Sequence, residues 1–192
     1  VPQTMWFYGE VGHTQEGKKE LLELVDFDTS DDVFITPKPT RLIQRIFQIA
    51  TDQDSLVLDS FAGSGTTGHA VLKQNAEDGG NRRFILVEMD DNIARTVTAE
   101  RIKRVATGYV NAKSQTVEGL GGGFQFYRLS TEPLFTADGQ IRPDVTFAQL
   151  AKFIWFAETQ TGYAGQADST LLGVHEGRAI YLLYNGILKD KS

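Results

Sequence analysis

The chain has 192 residues, 25 acidic and 19 basic side chains, a formal net charge of −6 and no cysteine. That length suits one domain, or one with a small appendage, and is enough to bury a sizeable core. The composition excludes a disulfide scaffold, a thiolate metal site and a cysteine nucleophile, and argues against a chain-wide basic surface for nucleic acid.

Val1-Pro2-Gln3-Thr4 has neither a basic nor an apolar signal region, and it lacks an initiator Met, so an internal or processed start is expected. The aromatic cluster Trp6, Phe7 and Tyr8 is expected to pack into a core or against a neighbouring part of a parent protein. Lys18 to Leu24 reads as a short helix and Asp26 to Asp32 as an acidic turn. In Thr36-Pro37-Lys38-Pro39 each proline pushes its predecessor to extended geometry, so the stretch cannot be helical throughout. Leu42, Ile43, Ile46, Phe47, Ile49 and Ala50 recur at helical spacing and predict a helix from Thr40 to Ala50.

Ser55 to Asp59 is a short apolar run, read as a buried strand. Ala62-Gly63-Ser64-Gly65 is a glycine turn, after which Thr66 or Thr67 opens a helix running to about Gln74. Phe84 to Val87 reads as a second buried strand ending at Glu88, and Asp90 or Asp91 caps a helix from Asn92 to Thr107. Strand, glycine turn, helix, strand, helix is the order of an open parallel sheet with crossover helices, an α/β architecture. Asn111 to Gly123 is polar and glycine-rich, the best linker in the chain. Beyond it, Phe124 to Leu129 alternates like a strand, Phe147 to Phe156 looks helical, and Leu171 to Val174 with Arg178 to Tyr184 flank Glu176-Gly177 as a hairpin. The expected organisation is a joining segment over 1–35, a cofactor-binding core over 36–110, a flexible linker over 111–123 and a smaller α+β region over 124–192.

The informative stretch is the glycine turn. In open α/β sheets a ligand lies outside the carboxyl end of the first strand. Gly63 and Gly65 let the backbone bend tightly there without Cβ interference. Glu88 closes the next strand 20 residues after Gly68, where a carboxylate suits a pair of ribose hydroxyls. Gly63-Ser64-Gly65-Thr66-Thr67-Gly68 also satisfies a dinucleotide pattern. Yet the turn begins four residues after Asp59, longer than a pyrophosphate fingerprint, and Asp59 would repel a pyrophosphate. An acid at that strand end suits the ammonium of an amino acid moiety. Both details point to S-adenosylmethionine, which carries no phosphate.

Asp59-Ser60-Phe61-Ala62-Gly63-Ser64-Gly65-Thr66-Thr67 resembles the cofactor motif of amino-DNA methyltransferases. Thr36-Pro37-Lys38-Pro39-Thr40 resembles the companion motif over the methionine part, and Asn81 to Glu88 the ribose-binding strand. Val11 to Glu20 is similar to a segment of one subgroup, the modification subunits of type III restriction–modification systems; a weaker likeness lies around Ile180 to Lys189. The resemblance implies a Rossmann-like class I S-adenosylmethionine-dependent sheet, incomplete in this chain. It implies a cofactor set of Thr36, Pro37, Lys38, Asp59, Phe61, Gly63, Ser64, Gly65, Thr66 and Glu88, and no metal. Phe61 is weighed equally as a packed core aromatic. The family's Asp-Pro-Pro-Tyr-type tetrapeptide, which holds the flipped base, is absent: the five prolines are Pro2, Pro37, Pro39, Pro133 and Pro143, none adjacent. The chain therefore reads as the S-adenosylmethionine-binding part of a site-specific adenine-N6 DNA methyltransferase, inactive alone. The implied partners of the parent are double-stranded DNA, a nuclease or helicase restriction subunit and a second copy in a homodimer, with no membrane and a cytoplasmic location. A cytosine-N4 enzyme and a non-catalytic nucleotide-binding or assembly fragment are the alternatives.

Other candidates carry less. His13, His69 and His175 have no ligand-spaced partner. His69 is read as a polar packing residue rather than a general base. Ser64 is no hydrolase nucleophile, because Ala62 replaces the first glycine of the elbow, and no Lys follows the glycines as a phosphate loop requires. Arg95, Arg101, Lys103 and Arg104 read as a solvated face, with Glu100 and Arg104 paired at i,i+4. Phe153, Trp155 and Phe156 read as the apolar side of a helix.

Overall fold

The computed structural model describes residues 5–27, 36–111 and 113–184. The polypeptide divides into two compact units, Val1–Phe126 and Tyr127–Ser192. Most of the acidic turn expected at Asp26 to Asp32, and the likeness beyond residue 184, lie outside the described residues.

The first unit opens with α1 (Tyr8–Val11) and α2 (Thr14–Leu24). His13 precedes α2, and its Nδ1 accepts from the Glu16 amide at 3.3 Å, satisfying one of the orphan amides of a helix start. The Arg41 guanidinium secures α1: it donates to the Gly9 carbonyl at 2.7 Å and pairs with Glu16 at 2.6 Å, which lowers the Glu16 carboxyl below its ordinary range. The helix α3 (Thr40–Ala50) has the expected bounds. Pro39 carries extended backbone (ψ 140°) and ends the non-helical run. Glu20 of α2 caps α3: its carboxylate accepts from the Thr40 amide at 2.9 Å and hydroxyl at 2.6 Å, an anion at the positive end of a helix.

Then follow β1 (Leu56–Asp59), α4 (Thr66–Asp78) and β2 (Arg83–Leu86). β1 and β2 are parallel, with Val57 beside Phe84 and Asp59 beside Leu86. Val57 and Phe84 turn inward on Phe47, Ala70 and Val71, while Leu72 and Ile102 anchor a second cluster that includes Leu86. The expectation is a Rossmann-like sheet that is incomplete in this chain. Among the described residues helices cover one face only, and the other carries Leu56, Leu58, Ile85 and Val87, which stay exposed. The architecture is mixed α/β with small sheets.

The second crossover helix departs from a plain α-helix. Ile93–Ala99 is π-helical and leads directly into α5 (Glu100–Thr107). After it, β3 (Gly108–Val110), at the end of the expected core, pairs antiparallel with β4 (Thr116–Glu118), which lies inside the stretch expected as a linker. The Leu120 and Gly121 amides then donate to the carbonyls of Val105 and Ala106, satisfying the end of α5. Phe124 to Leu129, expected as a strand, belongs to none of the three sheets among the described residues; the division between the units falls within it.

The second unit holds α6 (Phe147–Thr159) and the hairpin β5 (Leu171–His175) and β6 (Arg178–Tyr181). A reciprocal capping box between Thr146 and Gln149 starts α6. Glu176 (φ 48°) and Gly177 (φ 79°) make the hairpin turn with both central residues left-handed, as expected for a two-residue connection. Leu150, Ala151, Leu172 and Ile180 are its core, and Trp155 packs against them. No helix among the described residues is long and apolar enough to cross a membrane.

Candidate cofactor site

The carboxyl ends of β1 and β2 meet at one rim, and the glycine turn wraps across it. Asp59 ends β1. Its carboxylate accepts from the Phe61 amide at 3.1 Å and from the Thr67 hydroxyl at 2.5 Å, so the acid shapes the turn that follows it. Glu88 lies just beyond β2. One of its oxygens accepts from the Gly63 amide at 2.9 Å and the other from the Asp90 amide at 3.0 Å. Asp59 thus holds both sides of the loop, at Phe61 and Thr67, and Glu88 holds its middle, at Gly63. Each carboxylate oxygen retains a further lone pair for a ligand donor.

Gly65 occupies the left-handed region (φ 73°) just before α4, and a Cβ there would meet Thr98 at 3.2 Å. Glycine is needed twice over at this position, for conformation and for space. Thr98 faces the turn from the π-helical segment: its hydroxyl donates to the Gly63 carbonyl at 2.6 Å. π-helical turns widen a helix locally and recur at functional sites.

The companion segment comes to the same place. The Thr66 hydroxyl donates to the Lys38 carbonyl at 3.1 Å, joining residues 28 apart in sequence. Thr36 and Lys38 are exposed and Pro37 is buried. Behind Pro37 lies α2: a Cβ on Gly17 would meet the Pro37 carbonyl oxygen at 2.5 Å, so only glycine lets the segment lie this close.

Of the ten expected residues, Ser64 and Thr66 are buried, with their hydroxyls 3.1 Å apart. Phe61 is 82% exposed and so is no core aromatic in this chain; Met89, at the end of the other strand, is 89% exposed. Together they offer apolar surface beside two carboxylates. That donor set fits a ligand with an aromatic ring, hydroxyl or ammonium donors and no phosphate. Among the described residues no cluster of His, Asp and Glu is arranged to hold a metal ion.

Sequence reasoning missed the residues under the turn. Arg101, expected on a solvated face, is 0% exposed. Its guanidinium donates to the Thr66 hydroxyl at 2.9 Å, the Ser64 carbonyl at 3.3 Å and the Thr40 hydroxyl at 3.3 Å, and faces Glu20 at 3.6 Å. The signal was present: Val97, Thr98, Arg101, Ile102 and Val105 form one buried stripe at helical spacing, and Arg101 lies on it. Arg104 does make the expected pair with Glu100 at 2.8 Å. His69 packs on Arg101, its Nδ1 accepting at 3.3 Å. Desolvation, aided by the charges of Arg101 and Lys73, pushes its pKa down to about 3, so it is neutral and serves as packing, as expected. Burial likewise lowers Arg101 to about 10, which leaves it charged at neutral pH.

The sequence profile of a DNA methylase family matches residues 1–100. The chain is 38% identical over 177 residues to the type III restriction-modification enzyme StyLTI Mod subunit of Salmonella typhimurium, covering 82% of this chain and 26% of that protein. It is 41% identical over 98 residues to the EcoPI Mod subunit of Escherichia phage P1, covering 51% of this chain and 14% of the other. A third similarity is 35% identity over 99 residues to the type II methyltransferase M.KpnI of Klebsiella pneumoniae, 45% of this chain and 24% of that one. The chain spans about a quarter or less of the length of these relatives.

Proposed function

The chain belongs to the DNA methylase family, and from that premise we propose that it is the S-adenosylmethionine-binding part of a site-specific adenine-N6 DNA methyltransferase of a restriction–modification system. The observation that carries the cofactor reading is the placing of Asp59 and Glu88 at the ends of adjacent parallel strands, Asp59 bonded to the Phe61 amide and the Thr67 hydroxyl on either side of the Gly63–Gly65 turn and Glu88 to the Gly63 amide within it. An acid at both positions disfavours a phosphate-bearing ligand and suits ammonium and ribose hydroxyl donors. Thr36, Pro37 and Lys38 flank the methionine end, Phe61 and the backbone of Gly63, Ser64, Gly65 and Thr66 line the turn, and Glu88 takes the ribose. When bound, the cofactor supplies an electrophilic methyl group on a sulfonium. The protein's part is to hold and orient it.

The adenine target and the modification-subunit role rest on the ordered motifs and on the two Mod subunits among the relatives. Double-stranded DNA and a restriction subunit are the partners of the parent, which we read as a cytoplasmic homodimer with a complete three-layer sheet. The base-holding tetrapeptide is absent from this sequence, so the purified chain binds cofactor and does not methylate. Calorimetric titration tests the first half: saturable binding of S-adenosylmethionine but not of NAD is expected, and no binding would overturn the reading. Label transfer from cofactor to an adenine-containing duplex by this chain alone would overturn the second half.

A further inference from the structure

We propose that Arg101 is a positioning residue that locks the Thr36–Thr40 segment to the glycine turn, so that both halves of the cofactor site are in register before a ligand arrives. The proposal rests on the cofactor reading above.

A fully buried guanidinium forfeits its hydration, and a well-packed apolar side chain of similar volume would fill the space more cheaply. Neutralising Glu20 does not require it. That carboxylate already accepts the Thr40 amide and hydroxyl, and any compact cation would answer its charge at 3.6 Å. What an apolar residue or an ammonium lacks is the planar fork. One arm, Nη1, reaches Thr66 at 2.9 Å and the Ser64 carbonyl at 3.3 Å, both in the turn. The other arm, Nη2, reaches Thr40 at 3.3 Å, at the end of the companion segment. His69 supports the fork from the side, accepting from Nε at 3.3 Å and lying 3.2 Å from Nη2. The direct link between the two loops, Thr66 to the Lys38 carbonyl, is made by the same hydroxyl that Nη1 holds. Arg101 therefore braces both sides of that link, from a point no solvent reaches.

Arg101→Lys keeps the charge and removes the fork, and Thr40→Val removes one of the two anchor points while preserving shape. Both are compared with the unaltered chain by titration with S-adenosylmethionine well below the melting temperature of each. Arg101→Lys is expected to weaken binding roughly tenfold or more, and Thr40→Val to weaken it in the same direction. The double variant is expected to bind no worse than Arg101→Lys, because both act through one brace. A residue that only stabilised the fold would lower the melting temperature and leave the affinity of the folded chain unmoved. That outcome overturns the proposal, as do additive effects in the double variant. If Arg101→Lys does not fold, unchanged affinity in Thr40→Val overturns it. Failure of the unaltered chain to bind removes the cofactor reading and this proposal with it; binding by the unaltered chain with no loss in the variants removes this proposal alone.

Discussion

The Gly63 amide donates to the Glu88 carboxylate at 2.9 Å, so the acid expected to hold a ligand also holds the loop beneath that ligand. Twenty-five residues separate the two, and the bond closes the rim between β1 and β2. Glu88→Gln keeps one carbonyl oxygen for Gly63 and turns the other acceptor into a donor facing the Asp90 amide. The loop is expected to survive and ligand binding to suffer. A loss of about tenfold or more in S-adenosylmethionine affinity, with a small change in melting temperature, is the expected calorimetric result. Full-strength binding by the variant would remove Glu88 from the site.

Gly17 makes a different kind of prediction, because it touches no ligand. The Cβ of Gly17→Ala would lie 2.5 Å from the Pro37 carbonyl oxygen and 2.7 Å from the Lys38 carbonyl carbon, both backbone atoms that cannot rotate away. The companion segment must move off α2. Helix propensity favours alanine by about 1 kcal/mol, whereas overpacking costs about 1–3 kcal/mol, so a net loss of stability is expected in urea denaturation. Because the displaced residues are Pro37 and Lys38, cofactor affinity should fall as well. A stabilised variant with unchanged affinity would show that the segment accommodates the methyl group freely.

Much of this unit is legible in the sequence, for identifiable reasons. The helix over Thr40–Ala50 and the strand before Asp59 follow from apolar spacing and from turn residues at their ends. Phe124 to Leu129 shows why alternation alone is not enough. A strand needs a partner edge, and Leu129 is left 95% exposed. The π-helical turn of Ile93–Ala99 has no signature in residue order, since it arises where Thr98 closes on Gly63. The charge of Arg101 points to solvent, whereas its place on the apolar stripe points inward, and the stripe decides. What lies beneath the glycine turn, Arg101 and Glu20, comes from two helices far apart in sequence.

The bare sheet face predicts behaviour in solution. Leu58 is 66% exposed, and Leu56, Ile85 and Val87 lie open beside it. An apolar patch on a two-stranded sheet invites association between copies. Leu58→Lys and Ile85→Lys remove little buried area, so each is expected to shift stability by less than about 0.5 kcal/mol. Sedimentation velocity should show the unaltered chain associating with rising concentration and the double variant remaining monomeric. Equal association by both would place the contact elsewhere.

His69 sets a pH dependence whose sign follows from its surroundings. Desolvation, with the charges of Arg101 and Lys73, lowers its folded-state pKa to about 3, against an ordinary value of 6.5. Between those two values the unfolded chain carries a proton that the folded chain does not. Stability contributed by the neutral imidazole is therefore fully present above pH 6.5 and is lost as pH falls towards 3, at up to about 1.4 kcal/mol per pH unit. His69→Gln keeps an acceptor for Arg101 and has nothing to titrate. Urea midpoints between pH 7 and pH 4 should fall more steeply for the unaltered chain than for His69→Gln, while the two converge in slope above pH 7. Parallel pH profiles would mean that His69 accepts a proton in place, and that its contact with Arg101 yields as readily as a surface pair.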